Sequence, residues 1–183
     1  MMWKWVVFVI GSTGIIYLSR HALRNWRSHG FFRFFAFEAL LILFLLNVDN
    51  WFLQPFSLQQ IISWSLLVGS LLLAIHGFSL LRQIGRPDKS INDVSRIGIE
   101  KTTRLVTSGA YRYIRHPLYA SLLLFGWGAF LKQISLPAGL MLLVTIIALY
   151  LTARLEEQEN LKNFGFDYAE YMQHTKMFIP WMF

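Results

Sequence analysis

The chain contains no cysteine. That excludes disulfides, zinc–thiolate sites, iron–sulfur clusters and a cysteine nucleophile. Charge is also scarce: Asp, Glu, Lys and Arg make up 15% of the residues, against about 25% in an ordinary soluble domain. The familiar catalytic motifs are missing too. There is no G-x-G-x-x-G, no Walker loop, no H-E-x-x-H, no G-x-S-x-G, and no histidine followed five residues later by aspartate. His21, His29, His76, His116 and His174 show no metal-ligand spacing. A membrane protease, an ATPase and a His–Asp acyltransferase all lack their parts here, and no metal is expected.

What the sequence does have is hydrocarbon. Of its 183 residues, 55% are hydrophobic, and they fall in long runs. Residues 1–19 carry one charge, Lys4; residues 31–48 are apolar except for Arg33, Glu38 and Asn47. Residues 61–81, 118–131 and 134–153 are uncharged for 21, 14 and 20 residues. At about 1.5 Å of rise per residue, runs of this kind cross the ~30 Å hydrocarbon layer of a bilayer. The 118–131 run is short and needs Pro117 at its start, with Lys132 and Gln133 snorkelling at its end. The expected fold is an all-α integral membrane helical bundle of about five transmembrane helices. The last two form a helical hairpin, and an amphipathic C-terminal helix follows on the cytoplasmic side. One membrane domain accounts for residues 1–183: three spans in 1–81, a loop at 82–117, the hairpin at 118–153 and a tail at 154–183. Residues 1–19 read as a retained span, because the basic cluster (Arg20, Arg24, Arg27) follows the apolar run instead of preceding it.

Lysine and arginine placement orients the bundle. Segments 20–33, 82–117 and 154–183 hold fifteen of the seventeen; Lys4 and Lys132 fall on the opposite side. With five spans the 82–117 loop and the carboxyl tail are cytoplasmic and the amino end lies outside. The net charge of +7 then reflects a basic face beside anionic lipid and requires no nucleic acid.

The polar chemistry concentrates in two stretches on that side: RLVTSGAYRYIRHPLY at 104–119 and RLEEQENLKNFGFDYAEY at 154–171, followed by Pro180. The hairpin between them begins and ends at the cytoplasmic face, so residues 115–119 and 154–157 should be neighbours. The pattern L-V-x-x-G-x-Y-x-x-x-R-H-P-x-Y, a hairpin, then E-E-x-x-x-x-x-F-G-x-x-Y-x-x-Y resembles the isoprenylcysteine carboxyl methyltransferases. It is also similar to the related phospholipid N-methyltransferases. The likeness covers roughly residues 103–180.

The resemblance implies S-adenosyl-L-methionine as methyl donor, in a site formed by 103–119 and 152–171. Its contacts would fall on Leu105, Val106, Tyr111, His116, Pro117, Leu118, Tyr119 and Glu156, with Glu157 beside them. Arg115 and Arg154 are the candidate catalytic groups. Thr152 stands where the family places an arginine that holds the acceptor, and Arg154 lies about 200° around the helix from it. The implied acceptor is lipid-like or a small molecule, first of all the carboxylate of a prenylated cysteine, with a phospholipid amine or a small thiol or amine as the alternative. Membrane sterol reductases, which bind NADPH, share part of the pattern but tend to have asparagine where this chain has Leu118.

The residues suit methyl transfer on their own terms. Tyrosine faces can neighbour a cationic sulfonium, and a glutamate can bind the donor's ammonium or ribose hydroxyls. Glu38 and His76 are ionisable groups inside predicted spans, which makes them candidate substrate contacts; Glu38 can equally pair with Arg33 or stay protonated. Glu159 reads as solvated. Phe164, Tyr168, Tyr171 and Met172 read as the interfacial face of a tail helix. Arg154 reads as a partner of Glu157 or Gln158 one turn on.

Overall fold

The computed structural model describes residues 2–85 and 103–181. Arg86, Lys89, Arg96 and Lys101, half of the basic residues counted in the 82–117 loop, lie outside the described residues. Six α-helices follow in order: α1 (Met2–Ser19), α2 (His29–Asn47), α3 (Leu58–Gln83), α4 (Pro117–Phe130), α5 (Leu136–Phe164) and α6 (Phe166–His174). Among the described residues there is no strand, only one isolated parallel bridge between Ile114 and Lys176. α1, α2, α3 and α5 are long and apolar enough to cross a membrane, and α4 is a shorter apolar helix. The protein is therefore an all-helical bundle that fits a multi-pass integral membrane protein.

Local signals set the helix ends. Ser57 caps α3 by accepting the Gln60 backbone N–H, and Ser135 caps α5 by accepting that of Ala138. Pro117 opens α4, where its missing N–H costs nothing. α5 closes at Gly165, whose φ of 57° suits a residue without Cβ and lets the chain turn into α6.

Packing pairs the helices as α2 with α5 and α3 with α4. The arms of the 118–153 hairpin are thus joined by a short loop, but each leans mainly on an earlier helix. Small residues make this possible. A Cβ on Gly128 would stand 2.8 Å from Leu67 and 3.1 Å from the Ser63 carbonyl, so α3 and α4 touch there backbone to side chain. Ser63 Oγ and Ser70 Oγ donate to the carbonyls of Gly128 and Ser121 across the same seam, both at 2.7 Å. α1 packs against α2 and has no buried residue of its own.

Polar groups gather at the two ends of the bundle. At the end away from the motif stretches, Asn47 Nδ2 donates to the carbonyls of Ala129 (2.8 Å) and Gln133 (3.1 Å), satisfying groups that α4 leaves orphaned. Lys132 does not snorkel. It is 3% exposed, donates to Gln60 Oε1 at 3.1 Å, and its ammonium lies 3.8 Å from the centre of the Trp64 ring. An aromatic face and an amide carbonyl replace the water it would otherwise seek.

Candidate active site

The opposite end is built from the motif stretches. After α3, the chain forms a 3₁₀ turn at Gly109–Arg112. Gly109 has φ of 58°, and a Cβ there would stand 2.6 Å from both His76 Nε2 and Leu80. The Ala110 N–H also faces His76 Nε2 at 3.3 Å. His76 thus props the turn that carries Tyr111.

Residues 113–116 then run beside the C-terminal segment, with an isolated bridge between Ile114 and Lys176. Arg115 N–H donates to Lys176 O (2.8 Å), His116 N–H to Met177 O (3.2 Å), and Lys176 N–H to Tyr113 O (3.1 Å). These bonds fix the backbone of the R-H-P step just before α4 begins. Tyr119 follows in the first turn of α4.

α5 supplies the other wall. Tyr119 Oη donates to Glu156 Oε2 at 2.6 Å. Arg115 Nε donates to Glu157 Oε1 at 2.6 Å, and its Nη1 donates to the Thr175 carbonyl. The His116 ring sits between the two carboxylates, with Nδ1 3.9 Å from Glu156 Oε2 and Nε2 3.4 Å from Glu157 Oε1. α6 closes the pocket with Tyr168 and Tyr171, and the Tyr171 hydroxyl donates to the Tyr111 carbonyl at 2.5 Å. Burial pushes the pKa of both phenols up, making them weaker acids; the nearby Glu156 and Glu157 carboxylates push that of Tyr168 up further.

The resulting pocket is lined by Leu105, Val106, Tyr111, Arg115, His116, Leu118, Tyr119 and Glu156 from the motif stretches. Leu81, Asn160, Phe164, Tyr168 and Tyr171 complete it. Pro117 and Glu157 lie buried and off the lining, at the base of α4 and behind Glu156. Other candidates sit elsewhere. Thr152 is 0% exposed and donates to the Ala148 carbonyl of its own helix. Arg154 is exposed and off the lining. Glu38 faces α1, where Ser12 Oγ donates to it at 2.9 Å.

Two readings of the tail change. Glu159 is not simply solvated: its carboxylate meets Nδ1 of the fully buried His29 at 2.8 Å, tying α5 to α2. Tyr168 and Tyr171 do not face the membrane surface; Tyr168 is 2% exposed and both face the pocket. Phe164, read with them as interfacial, also lines the pocket; it and Asn160, which the sequence reading left out, continue the four-residue spacing from Glu156 along one face of α5.

A family model described as phospholipid methyltransferase matches residues 58–165. The chain belongs to that family. The matched segment runs from the start of α3 to the Gly165 bend, so it contains the α3–α4 seam, the R-H-P step and the glutamate pair. A similar protein is methanethiol S-methyltransferase 1 of Bradyrhizobium diazoefficiens, 34% identical over 88 residues. That alignment covers 46% of this chain and 30% of the relative, so it spans under a third of the relative's length. Membership of the phospholipid methyltransferase family replaces the sterol-reductase alternative.

Proposed function

We propose that this chain is an S-adenosyl-L-methionine-dependent methyltransferase whose donor occupies the pocket between α4, α5 and α6. The observation that carries the reading is the charge of that pocket. Glu157 is neutralised by Arg115, whereas Glu156 receives a tyrosine hydroxyl and lines the pocket. The lining is thus suited to a cation among tyrosine rings. S-adenosyl-L-methionine, when bound, supplies a methyl group on a positively charged sulfur.

Each wall has a task under this reading. Glu156, oriented by Tyr119, holds the donor's ammonium or ribose hydroxyls. Tyr111 and Tyr119 offer ring faces to the sulfonium. Leu105, Val106 and Leu118 pack against its apolar parts. The N-terminal end of α4, opened by Pro117, suits its carboxylate or a ring nitrogen through the positive end of the helix dipole. Because the methyl group arrives activated, the protein's work is alignment and exclusion of water.

For the acceptor, a neutral small thiol is favoured over a prenylcysteine carboxylate. A carboxylate wants a guanidinium. The one on the described lining, Arg115, is held by Glu157 and two backbone carbonyls. Thr152 and Arg154 do not supply another. The similarity to a protein named for methanethiol supports the same choice. A lipid amine is the second reading, favoured by the family's description.

The test is calorimetry on the purified full chain in detergent with S-adenosylhomocysteine and, separately, NADPH. Binding of the first alone, followed by methylation of an alkanethiol, supports the proposal. Binding of neither by a folded sample would sink it.

A further inference from the structure

A thiol acceptor must lose a proton before or during methyl transfer, and a group on the pocket wall has to take it. We propose that this group is His116. The inference rests on the methyltransferase reading above and names the general base of that same site.

Geometry separates the two ring nitrogens. Nε2 lies 3.4 Å from Glu157 Oε1, behind the pocket lining. Nδ1 lies on the side of Glu156, which lines the pocket. The ring is held in place by near-parallel stacking on Tyr119, 5.4 Å between centroids with 15° between planes, and by Phe178 at 6.2 Å. Its backbone N–H is tied to Met177. Glu157 is in turn fixed by the Arg115 guanidinium at 2.6 Å. The sequence of parts is a base, an orienting carboxylate behind it, and a cation that anchors the carboxylate. That arrangement orients a histidine with one ring nitrogen toward a carboxylate and the other toward substrate.

The charge balance also favours it. From α5, Glu156 and Glu157 face the ring. From its own segment come Arg115 and the Tyr119 hydroxyl. From α6 come Tyr168 and Tyr171, which burial keeps as neutral phenols. Glu157 stays beside Nε2 whether or not the donor occupies Glu156, so an imidazolium formed here keeps a carboxylate next to it. Among the alternatives, a carboxylate is a poor match. A carboxylate is ordinarily a weaker base than an imidazole and so a poorer match to a thiol, and proton transfer is most efficient between closely matched groups.

The step balances as follows. The acceptor's S–H bond breaks, its electron pair stays on sulfur, and the proton moves to His116 Nδ1. That sulfur pair forms the new S–C bond, while the pair of the broken C–S bond stays with the departing thioether. The proton then leaves His116 for solvent.

The experiment compares two acceptors on the wild type and His116→Gln, at saturating donor, in detergent. One is an alkanethiol, largely protonated at neutral pH; the other is an arenethiol, already ionised. General-base catalysis is worth roughly 10²- to 10⁴-fold. His116→Gln should therefore lose at least about 100-fold in kcat with the alkanethiol and under about tenfold with the arenethiol. If His116→Gln cannot be recovered folded, Glu157→Gln, which removes the carboxylate behind the ring, should show the same contrast between the two thiols in milder form. Equal losses for both thiols would overturn the assignment and leave His116 a structural or donor-binding residue. A wild type that binds no S-adenosylhomocysteine would instead remove the methyltransferase reading, and this inference with it.

Discussion

Arg115 and Glu157 form a buried ion pair, 2.6 Å between Nε and Oε1, that joins the start of α4 to α5. The same guanidinium reaches the Met172 and Thr175 carbonyls at the end of α6. Arg115 therefore bolts three elements of the site together. Removing one partner of a buried pair leaves an uncompensated charge and costs about 3–5 kcal/mol, whereas replacing both by apolar residues is often neutral. Arg115→Met should lower the thermal midpoint in detergent sharply, and Arg115→Met with Glu157→Leu should recover much of it. A double variant no better than the single would mean that the backbone contacts, not the charge, matter most.

Glu156 is expected to be a binding residue with little structural role, because it is partly exposed and accepts a single close hydrogen bond, from the Tyr119 hydroxyl, with His116 Nδ1 3.9 Å away. Glu156→Ala should weaken S-adenosylhomocysteine at least about tenfold, the loss of one charge-assisted hydrogen bond of about 1.5 kcal/mol or more. The helical circular dichroism and melting should stay close to wild type. Affinity unchanged within twofold would count against the donor site.

Tyr168 and Tyr171 predict alkaline behaviour. Their phenols titrate above the ordinary value of 10.0, chiefly because they are buried. A group whose value is raised on folding contributes stability below its unfolded value and loses that contribution as pH rises toward the folded one. The stabilising effect is thus complete at pH 7 to 9 and declines above about pH 10. Spectrophotometric titration should show two tyrosines resisting ionisation until the protein unfolds, and Tyr171→Phe should remove one of them.

Much of this site is legible in the chain because its chemistry is local. R-H-P-x-Y places a histidine and a tyrosine around one helix start, and the glutamate pair follows after a fixed there-and-back length of helix. Tertiary partners are harder to read. α3 is apolar on every side, so periodicity cannot say that it pairs with α4 instead of α2; the small residues Gly128 and Ser63 decide it. A tyrosine stripe at helical spacing looks the same whether it faces lipid headgroups or a pocket, and this hid Tyr168 and Tyr171. The backbone pairing of Arg115 and His116 with Lys176 and Met177 has no side-chain signature at all. Lys132 departs from its sequence expectation for a related reason: snorkelling is the default for an interfacial lysine, and only the fold brings Trp51, Trp64 and Gln60 around it.

Thr152 tests whether the acceptor preference can be changed by one residue. It lies one helical turn before Glu156 on the same face of α5, but in closed packing beside Ala148, Leu149 and Ala153. Thr152→Arg would have to bury a guanidinium in that packing, with Glu156 one turn on already engaged by Tyr119, at a cost of several kcal/mol. The expected result is a protein with a depressed melting midpoint and no new activity on a prenylcysteine carboxylate. A stable variant that methylates the carboxylate would show that the pocket floor can open, and would revive that acceptor.

The distribution of basic residues makes a prediction about the membrane. Two lysines mark the end of the bundle away from the pocket: Lys4, paired with Asp49 at 2.6 Å, and the buried Lys132. The other fifteen basic residues fall in the segments assigned to the pocket side. By the bias of lysine and arginine toward the cytoplasm, the pocket faces inward and the 48–57 loop faces out. The absence of native cysteine makes this simple to check, because a single introduced thiol is the sole target. Gln54→Cys, in the exposed loop between α2 and α3, should react with a membrane-impermeant maleimide on intact cells. Asn163→Cys, exposed near the end of α5, should react only after permeabilisation. The reverse pattern would put the donor pocket on the side away from the cytoplasm, where cytoplasmic S-adenosyl-L-methionine could not reach it, and would weigh against the methyltransferase assignment as strongly as a failed binding experiment.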